Sequence, residues 1–260
     1  MTDTLPSIYD YPKYYDLVYG SDWKAEYDFL TECFVRYPDV NVKHVFEPAC
    51  GTGRILYRFG KAGFEVSGLD LNERSIDFCN ERLKKHGLAE SAFTADMCQF
   101  KLPTPCDAAF NMVNSFRHLG TEEQSVAHFN AMRDAMNVGG IYVLGLHLSP
   151  LEGDICDRES WSASRGHLTV NSSMWLVDQN LAQRYEDYKM QFSVYTPTDL
   201  KKMEDVIRFR TYSSDQFTDL IDQIEGLEIT ATHDFGYDID TIIEVDEEAE
   251  DVVFVIKRTH

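Results

Sequence analysis

The chain has 260 residues, 43% hydrophobic and 26% charged, a composition that builds a folded core and excludes a disordered or low-complexity polymer. Its 24 Lys and Arg against 44 Asp and Glu give a formal charge of −20. That charge excludes nucleic acid and anionic membranes as partners, because both are bound through clustered cations and only isolated pairs such as Lys84-Lys85 and Lys201-Lys202 occur.

No apolar stretch reaches membrane-spanning length. The first residues, Met1-Thr2-Asp3-Thr4-Leu5-Pro6, carry neither a basic nor an apolar run, so a signal peptide is not expected and the location is read as cytoplasmic. Cys33, Cys50, Cys79, Cys98, Cys106 and Cys156 form no C-x-x-C pair, which argues for reduced thiols rather than a zinc site. Asp154 and Asp157 lie near His147 in sequence, a pairing too common to make a metal centre, and none is expected.

In chain order, a helix is expected from Trp23 to about Tyr37. Val42 to Phe46 reads as a strand ending at Glu47-Pro48 and a glycine turn, followed by a helix from Gly53 to Ala62 that Gly63 stops. Phe64 to Leu69 is a second strand ending at Asp70. Asn72 caps a helix from Glu73 to His86, which Gly87 ends. Ser91 to Ala95 and Ala108 to Val113 are further strands. Glu122 to Met136 is a helix stopped by Gly139-Gly140, and Ile141 to Leu148 is a fifth strand. This alternation predicts a parallel sheet of βαβ units.

The pattern changes after Pro150. Gly153 to Gly166 is polar, and His167 to Asp178, Leu181 to Val194 and Val206 to Tyr212 read as an extended meander beside the main sheet. The α/β pattern then resumes with a helix from Asp215 to Ile224 and strands Leu227 to His233 and Val252 to Lys257. The acidic run Glu244 to Asp251 reads as a solvated loop. The expected division is residues 1–40 as an N-terminal helical lid, 41–149 as the core, 150–212 as an inserted substrate cap, and 213–260 as the remainder of the core.

Chemistry concentrates at Val45-Phe46-Glu47-Pro48-Ala49-Cys50-Gly51-Thr52-Gly53-Arg54, where the first strand meets a helix. Ligands of open α/β sheets bind outside the carboxyl ends of the strands. Gly51 and Gly53 allow a tight turn and close approach of a ligand to the backbone. Glu47 ends strand one, where it can hold a cationic amino group. Asp70 ends strand two, at the spacing of a carboxylate that accepts from ribose hydroxyls. Asp96 and Met97 follow strand three, where adenine recognition is geometrically reasonable. A dinucleotide fingerprint would need a third glycine where Leu56 stands.

These residues resemble the S-adenosylmethionine methyltransferases of the seven-stranded, Rossmann-like class. Glu47 to Arg54 is similar to the family's first motif, Gly68-Leu69-Asp70-Leu71-Asn72 to its second, Ala95-Asp96-Met97 to its third, and Phe110-Asn111-Met112-Val113-Asn114-Ser115 to its fourth. The resemblance runs in order from about Lys43 to Leu148, and Val252 to Lys257 is similar to the family's antiparallel last strand. It implies an α/β fold with a mostly parallel seven-stranded sheet, helices on both faces and a small antiparallel β insertion. Glu47, Gly51 and Gly53 would surround the methionine part of S-adenosyl-L-methionine, and Ala49 (where the family often has Gly) and Arg54 would belong to the same cofactor site. Asp70 would take the ribose, Leu71, Asp96 and Met97 the adenine, and Asn111 with Met112 the floor near the sulfonium.

A narrower resemblance joins Tyr14-Tyr15-Asp16-Leu17-Val18-Tyr19-Gly20 and the small sheet to N-methyltransferases of amino sugars and glycine-like amines. It implies a lid whose Tyr14, Tyr15 or Tyr19 touches the cofactor. Tyr14 and His118 stand as the catalytic candidates. His118, just after strand four, is either a base for an acceptor that must lose a proton or a wall of the pocket. His147 ends strand five, where a side chain can face a substrate. Trp161, Trp175 and Tyr185 either wall the acceptor pocket or pack the inserted sheet.

The expected activity is methyl transfer to nitrogen or oxygen of a small molecule by direct displacement. A non-catalytic S-adenosylmethionine-binding module and a nicotinamide-dependent oxidoreductase are the alternatives. The insert leaves a homodimer as a partner state to test.

Overall fold

The computed structural model describes residues 6–112, 114–149 and 158–260. The end of the fourth expected strand at Val113, the first five residues, and Pro150 to Asp157, with Gly153, Asp154 and Cys156, lie outside the described residues.

The chain begins with a single 3-10 turn, Ile8–Asp10, and two helices, α1 (Pro12–Tyr19) and α2 (Lys24–Arg36). The core follows as β1 (His44–Pro48), α3 (Leu56–Lys61), β2 (Glu65–Asp70), α4 (Glu73–Lys85), β3 (Ala92–Thr94), β4 (Cys106–Asn111), α5 (Glu122–Ala135) and β5 (Met136–His147). Four long strands come next: β6 (Glu159–Arg165), β7 (Leu168–Asn180), β8 (Tyr185–Tyr195) and β9 (Leu200–Arg210). The chain returns to the core with α6 (Ser214–Asp222), β10 (Leu227–Asp234) and β11 (Asp251–Arg258).

The main sheet has seven strands in the order β10-β11-β5-β4-β1-β2-β3. β1 to β5 pair in parallel. β11 runs antiparallel to both of its neighbours, β10 and β5, as the antiparallel last strand requires. Helices cover both faces: one buried cluster gathers Phe129, Met132, Phe217 and Leu220 from α5 and α6, the other Phe29, Leu30, Phe59, Ile76 and Cys79 from α2, α3 and α4. Every residue of β1 and β4 is buried, as expected of central parallel strands covered on both faces.

Side-chain caps explain the starts of α4, α5 and α6. The Asn72 side chain accepts the Ser75 N–H at the start of α4. Thr121 with Gln124, and Ser213 with Gln216, make reciprocal capping boxes for α5 and α6.

Several boundaries differ from the sequence reading, among them the last meander strand, expected from Val206, which begins at Leu200, and the strand before it, expected from Leu181, which begins at Tyr185. The helix expected from Gly53 begins at Leu56, because Gly51 (φ +52°) and Gly53 (φ +64°) keep the preceding residues in a left-handed turn. The fifth strand begins at Met136, directly after α5, and carries Gly139-Gly140 inside it; at Gly140 a Cβ would lie 2.8 Å from the Asp107 carbonyl oxygen, so glycine there permits close strand contact. The polar stretch before Gly166 contains a full strand, β6. Its serines form the outer face, with Ser160, Ser162 and Ser164 hydrogen-bonded to Ser173, Asn171 and Thr169. Trp161 and Ala163 alternate to the inner side, packed against the third buried cluster.

The second sheet is antiparallel, in the order β6-β7-β8-β9. Its inner face and α1 share a cluster of Leu17, Val18, Val170, Phe192, Val194 and Met203. The N-terminal segment is also tied to the core. The Asn72 amide donates to the Tyr9 carbonyl at 2.7 Å. Buried Asp16 pairs with Arg82 at 2.6 Å, accepts from Thr52 at 3.1 Å and meets Arg165 of β6 at 3.4 Å. Among the described residues, no helix is long and apolar enough to cross a membrane.

Candidate functional site

A cavity of about 830 Å³ opens between the carboxyl ends of the core strands, the N-terminal segment and the inner face of the second sheet. β1, β2 and β3 deliver three successive corners to it: Ala49 and Gly51, then Asp70 and Leu71, then Ala95 and Met97. Strand-to-helix turns must leave the sheet here, so backbone and carboxylates gather at one edge.

Asp70 organises this edge. Its Oδ1 accepts the Asn72 N–H at 2.8 Å and its Oδ2 the Gly51 N–H at 2.9 Å. Burial raises the Asp70 carboxyl above its ordinary value, against the lowering effect of these backbone bonds. The lone pairs left over face the cavity beside Leu71, whose side chain is 72% exposed. An exposed leucine at a cavity wall offers a flat ligand group an apolar surface.

Behind Gly51 lies a smaller lobe of about 40 Å³, lined by Tyr15, Tyr19, Glu26, Glu47, Arg54 and Asn111 among others. Among the described residues, three of its buried polar atoms have no hydrogen-bond partner: Glu47 Oε2, Asn111 Oδ1 and one terminal nitrogen of Arg54. Each such group carries a desolvation cost that a ligand can relieve. Two acceptors and a cationic donor in one lobe match the ammonium and carboxylate of an amino acid. Burial pushes the Glu47 carboxyl well above the usual range, with Arg54 opposing. The other arm of Arg54 is held by Glu26 at 2.6 Å, and the Asn111 amide donates to the Pro48 carbonyl at 2.9 Å.

The roof is aromatic. Tyr9, Tyr15, Tyr19 and Trp161 form a row with successive centroid separations of 5.5, 4.7 and 6.0 Å. Burial and then Asp70 push the Tyr15 phenol up to about 12, so it stays a neutral donor above Gly51.

The far end of the cavity is built by the second sheet and the ends of β4 and β5. Met174, Leu176, Tyr188, Met190, Ile207 and Phe209 supply its apolar wall. Glu159, Glu186, Glu250 and Asp251 supply carboxylates against one guanidinium, Arg117. Arg117 is consumed within the protein: it pairs with Glu186 at 2.5 Å and donates to the Arg210 carbonyl at 2.9 Å. Ser149 and Gln179 donate to the other Glu186 oxygen at 3.1 and 2.9 Å. The remaining charge of this end is negative.

The structure brings together most residues singled out in the sequence. Ala49, Gly51, Asp70, Leu71, Met97, Tyr19 and His118 line the large cavity, and Glu47, Arg54, Asn111 and Met112 the small lobe. His118 lies against Phe209 with centroids 5.0 Å apart, and burial, then Arg117, lower its pKa, leaving a neutral imidazole. Three of the catalytic and cofactor-binding candidates fall outside. Tyr14 borders a separate groove with Lys13, Arg165 and His167; Tyr15, one position on, faces the cavity because helix α1 turns about 100° per residue. Gly53 is a packing glycine, with a built Cβ only 2.4 Å from Cys79 Sγ. The Asp96 side chain is exposed and accepts the Cys98 N–H at 2.8 Å, while its neighbours Ala95 and Met97 line the cavity. Trp161 walls the cavity; Trp175 lies under Arg158 and Tyr185 under Arg208, away from it.

Sequence reasoning missed Arg117, Ser149, Gln179, Glu186 and Asp251. One signal was available: Glu186, Tyr188 and Met190 alternate along β8 and must share a face, so a glutamate there had to be buried and paired.

Residues 45–140 match the family model described as a methyltransferase domain. An inferred methyltransferase of Geobacillus sp. (strain WCH70) is 22% identical over 52% of this chain and 55% of its own length. The chain spans about half the length of the curated relatives it matches. Solved structures superpose over nearly the whole chain. An S-adenosylmethionine-dependent methyltransferase from Clostridium acetobutylicum ATCC 824 has a TM-score of 0.78 at 14% identity, covering 95% of this chain and 96% of that one. The S-adenosylmethionine-bound amino pentose methyltransferase CalS10 from Micromonospora echinaspora has a TM-score of 0.73 at 19% identity, covering 92% and 93%. The sugar N-methyltransferase KedS8 from Streptoalloteichus sp. ATCC 53650 has a TM-score of 0.74 at 18% identity, covering 99% and 96%. At these identities the likeness shows the fold.

Proposed function

We propose that this chain, built on its methyltransferase domain at residues 45–140, transfers a methyl group from S-adenosylmethionine to the nitrogen of a small molecule. The observation that carries the cofactor reading is the lobe behind Gly51, where unpartnered Glu47 Oε2, Asn111 Oδ1 and Arg54 complement an amino-acid head group. The row of strand ends then takes the rest in sequence: Asp70 the ribose hydroxyls, and Leu71 with Ala95 and Met97 the adenine. A nicotinamide dinucleotide has no α-amino acid to satisfy that lobe.

The group supplies an activated methyl on a sulfonium when bound. The protein's task is then alignment and exclusion of water. Tyr15, Tyr19 and Trp161 roof the site, and Asp16 holds the segment that carries the tyrosines. The far end, with its methionine, leucine and aromatic wall, gives an acceptor a pocket of its own, which favours an enzyme over a bare sensor. Its carboxylates, Glu159, Glu250 and Asp251, attract a cationic acceptor. That charge, with the amino-sugar activity named for CalS10 and KedS8, supports an amine.

Calorimetric titration with S-adenosylmethionine, S-adenosylhomocysteine and NADH tests the cofactor, on wild type and Glu47→Gln. Binding of the first two and not NADH, weakened at least tenfold in the variant, is expected. Transfer of a tritiated methyl group to D-glucosamine and related amines tests the acceptor class. NADH binding alone, or no binding at all, overturns the reading.

A further inference from the structure

We infer that His147 and Asp251 form a proton-accepting dyad on the acceptor wall of the cavity, an inference that rests on the methyl-transfer reading above. His147 closes β5 and Asp251 opens β11, and the antiparallel ladder sets these two residues directly opposite each other. The imidazole Nδ1 meets Asp251 Oδ1. The His147 backbone N–H donates to Asn114 Oδ1 at 2.9 Å, and the ring packs on Phe235 with centroids 5.0 Å apart. Backbone, carboxylate and aromatic contact together fix the ring. Both side chains line the cavity.

The hydrogen bond made by one imidazole nitrogen decides which nitrogen carries the proton. A carboxylate on Nδ1 places the proton there and leaves the Nε2 lone pair unprotonated. A substrate ammonium then gives its proton to Nε2. The freed nitrogen lone pair attacks the methyl carbon, the N–C bond forms as the C–S bond breaks, and the bonding pair stays on sulfur. Asp251 stabilises the resulting imidazolium, which returns its proton to solvent at the cavity rim. No electron is gained or lost by the protein. The other charged and titratable groups facing this wall are Glu250 before β11, Glu159 on β6, Glu186 and Tyr188 on β8, Arg117 and His118, with Glu186 and Arg117 paired to each other. Among the described residues, His118 has no carboxylate partner and rests on Phe209.

Nitrogen-15 NMR of the histidine-labelled chain tests the dyad, with His147 assigned by its absence in His147→Gln. The neutral ring is expected with Nδ1 protonated and Nε2 bare, and Asp251→Ala is expected to mix the two tautomers. A ring protonated mainly at Nε2 in wild type, or a tautomer that Asp251→Ala leaves unchanged, overturns the proposal. D-glucosamine as the acceptor probe separates chemistry from binding: His147→Gln is expected to lower kcat at least 100-fold with KM within threefold. A variant that raises KM alone overturns the base role. If wild type binds no S-adenosylmethionine and methylates no glucosamine, the methyl-transfer reading falls, and the tautomer by itself decides whether the dyad exists.

Discussion

The Asp70 carboxylate accepts the backbone N–H of Gly51 at 2.9 Å, across the gap between β2 and the turn after β1. One side chain thus fixes the glycine turn and presents its remaining lone pairs to the cavity. On the proposed cofactor reading, Asp70→Ala removes a ligand contact and releases the turn at once. A hydrogen bond to a charged group is worth about 1.5–3 kcal/mol, so S-adenosylmethionine affinity is expected to fall by roughly 10- to 100-fold. Calorimetry checks this; unchanged affinity would remove Asp70 from the site.

On the same proposed reading, Glu47 is expected to make cofactor binding pH-dependent. Burial raises its pKa well above the usual carboxylate value in the free protein. An arriving ammonium favours the charged form and lowers it again. Binding is therefore expected to release a proton over the pH range between the bound and free values, and to release none well above the free value. Calorimetry in buffers of different ionisation enthalpy reads this directly. Glu47→Gln is expected to abolish the release, and equal heats in all buffers for wild type would show that Glu47 does not meet the cation.

Ala49 occupies the left-handed region at φ +54°. A non-glycine residue there costs about 1–2 kcal/mol, while glycine adds back about 0.4–1 kcal/mol of unfolded-chain entropy. Ala49→Gly is thus expected to stabilise the chain by about 0.5–1 kcal/mol. A rise of a few degrees in Tm, with cofactor affinity kept within threefold, is the outcome to look for; a fall in Tm would mean the turn holds Ala49 without strain.

The parts of the fold fixed by local chemistry were legible in the sequence. Asn72 and Gly87 bounded α4 because caps act within a few residues. Glu47, Asp70 and Asn111 could be placed because strand ends in a parallel sheet converge on one edge. The acceptor end was not legible. Arg117 and Glu186 meet across 69 positions, and His147 and Asp251 across 104, and no local rule links such pairs. Tyr14 and Tyr15 differ by one helical step, which sends one to an outer groove and the other to the cavity; choosing between them required knowing what α1 packs against. Gly53 looked like a ligand-contacting glycine, yet its constraint comes from Cys79 on the neighbouring helix.

That last contact is itself testable. At Gly53, φ is +64° and a Cβ would sit 2.4 Å from Cys79 Sγ. Gly53→Ala combines left-handed strain with overpacking against α4, together about 2–4 kcal/mol. A drop in Tm of roughly 5–15 °C is expected. Cys79→Ala in the same chain removes the clashing sulfur, so the double variant should be more stable than the sum of the two single losses. Strict additivity would show that backbone strain alone forbids a side chain at residue 53.

Asp16 couples the roof to everything beneath it. Its carboxylate is buried and shared among Arg82 on α4, Thr52 in the glycine turn and Arg165 on β6. Removing one partner of a buried pair leaves an uncompensated charge, here on Arg82, at a cost of about 3–5 kcal/mol. That cost falls on the docked state of α1, because Arg82 regains water when the segment lifts away. Asp16→Ala is therefore expected to raise amide exchange at residues 7–19 by at least tenfold while β1, β4 and β5 stay protected. S-adenosylmethionine should dissociate faster from this variant, since the tyrosine row that roofs its site rides on the same segment. Hydrogen exchange read by mass spectrometry separates the outcomes: exchange that accelerates across the central strands as well would make Asp16 a residue of global stability rather than the clasp of the roof.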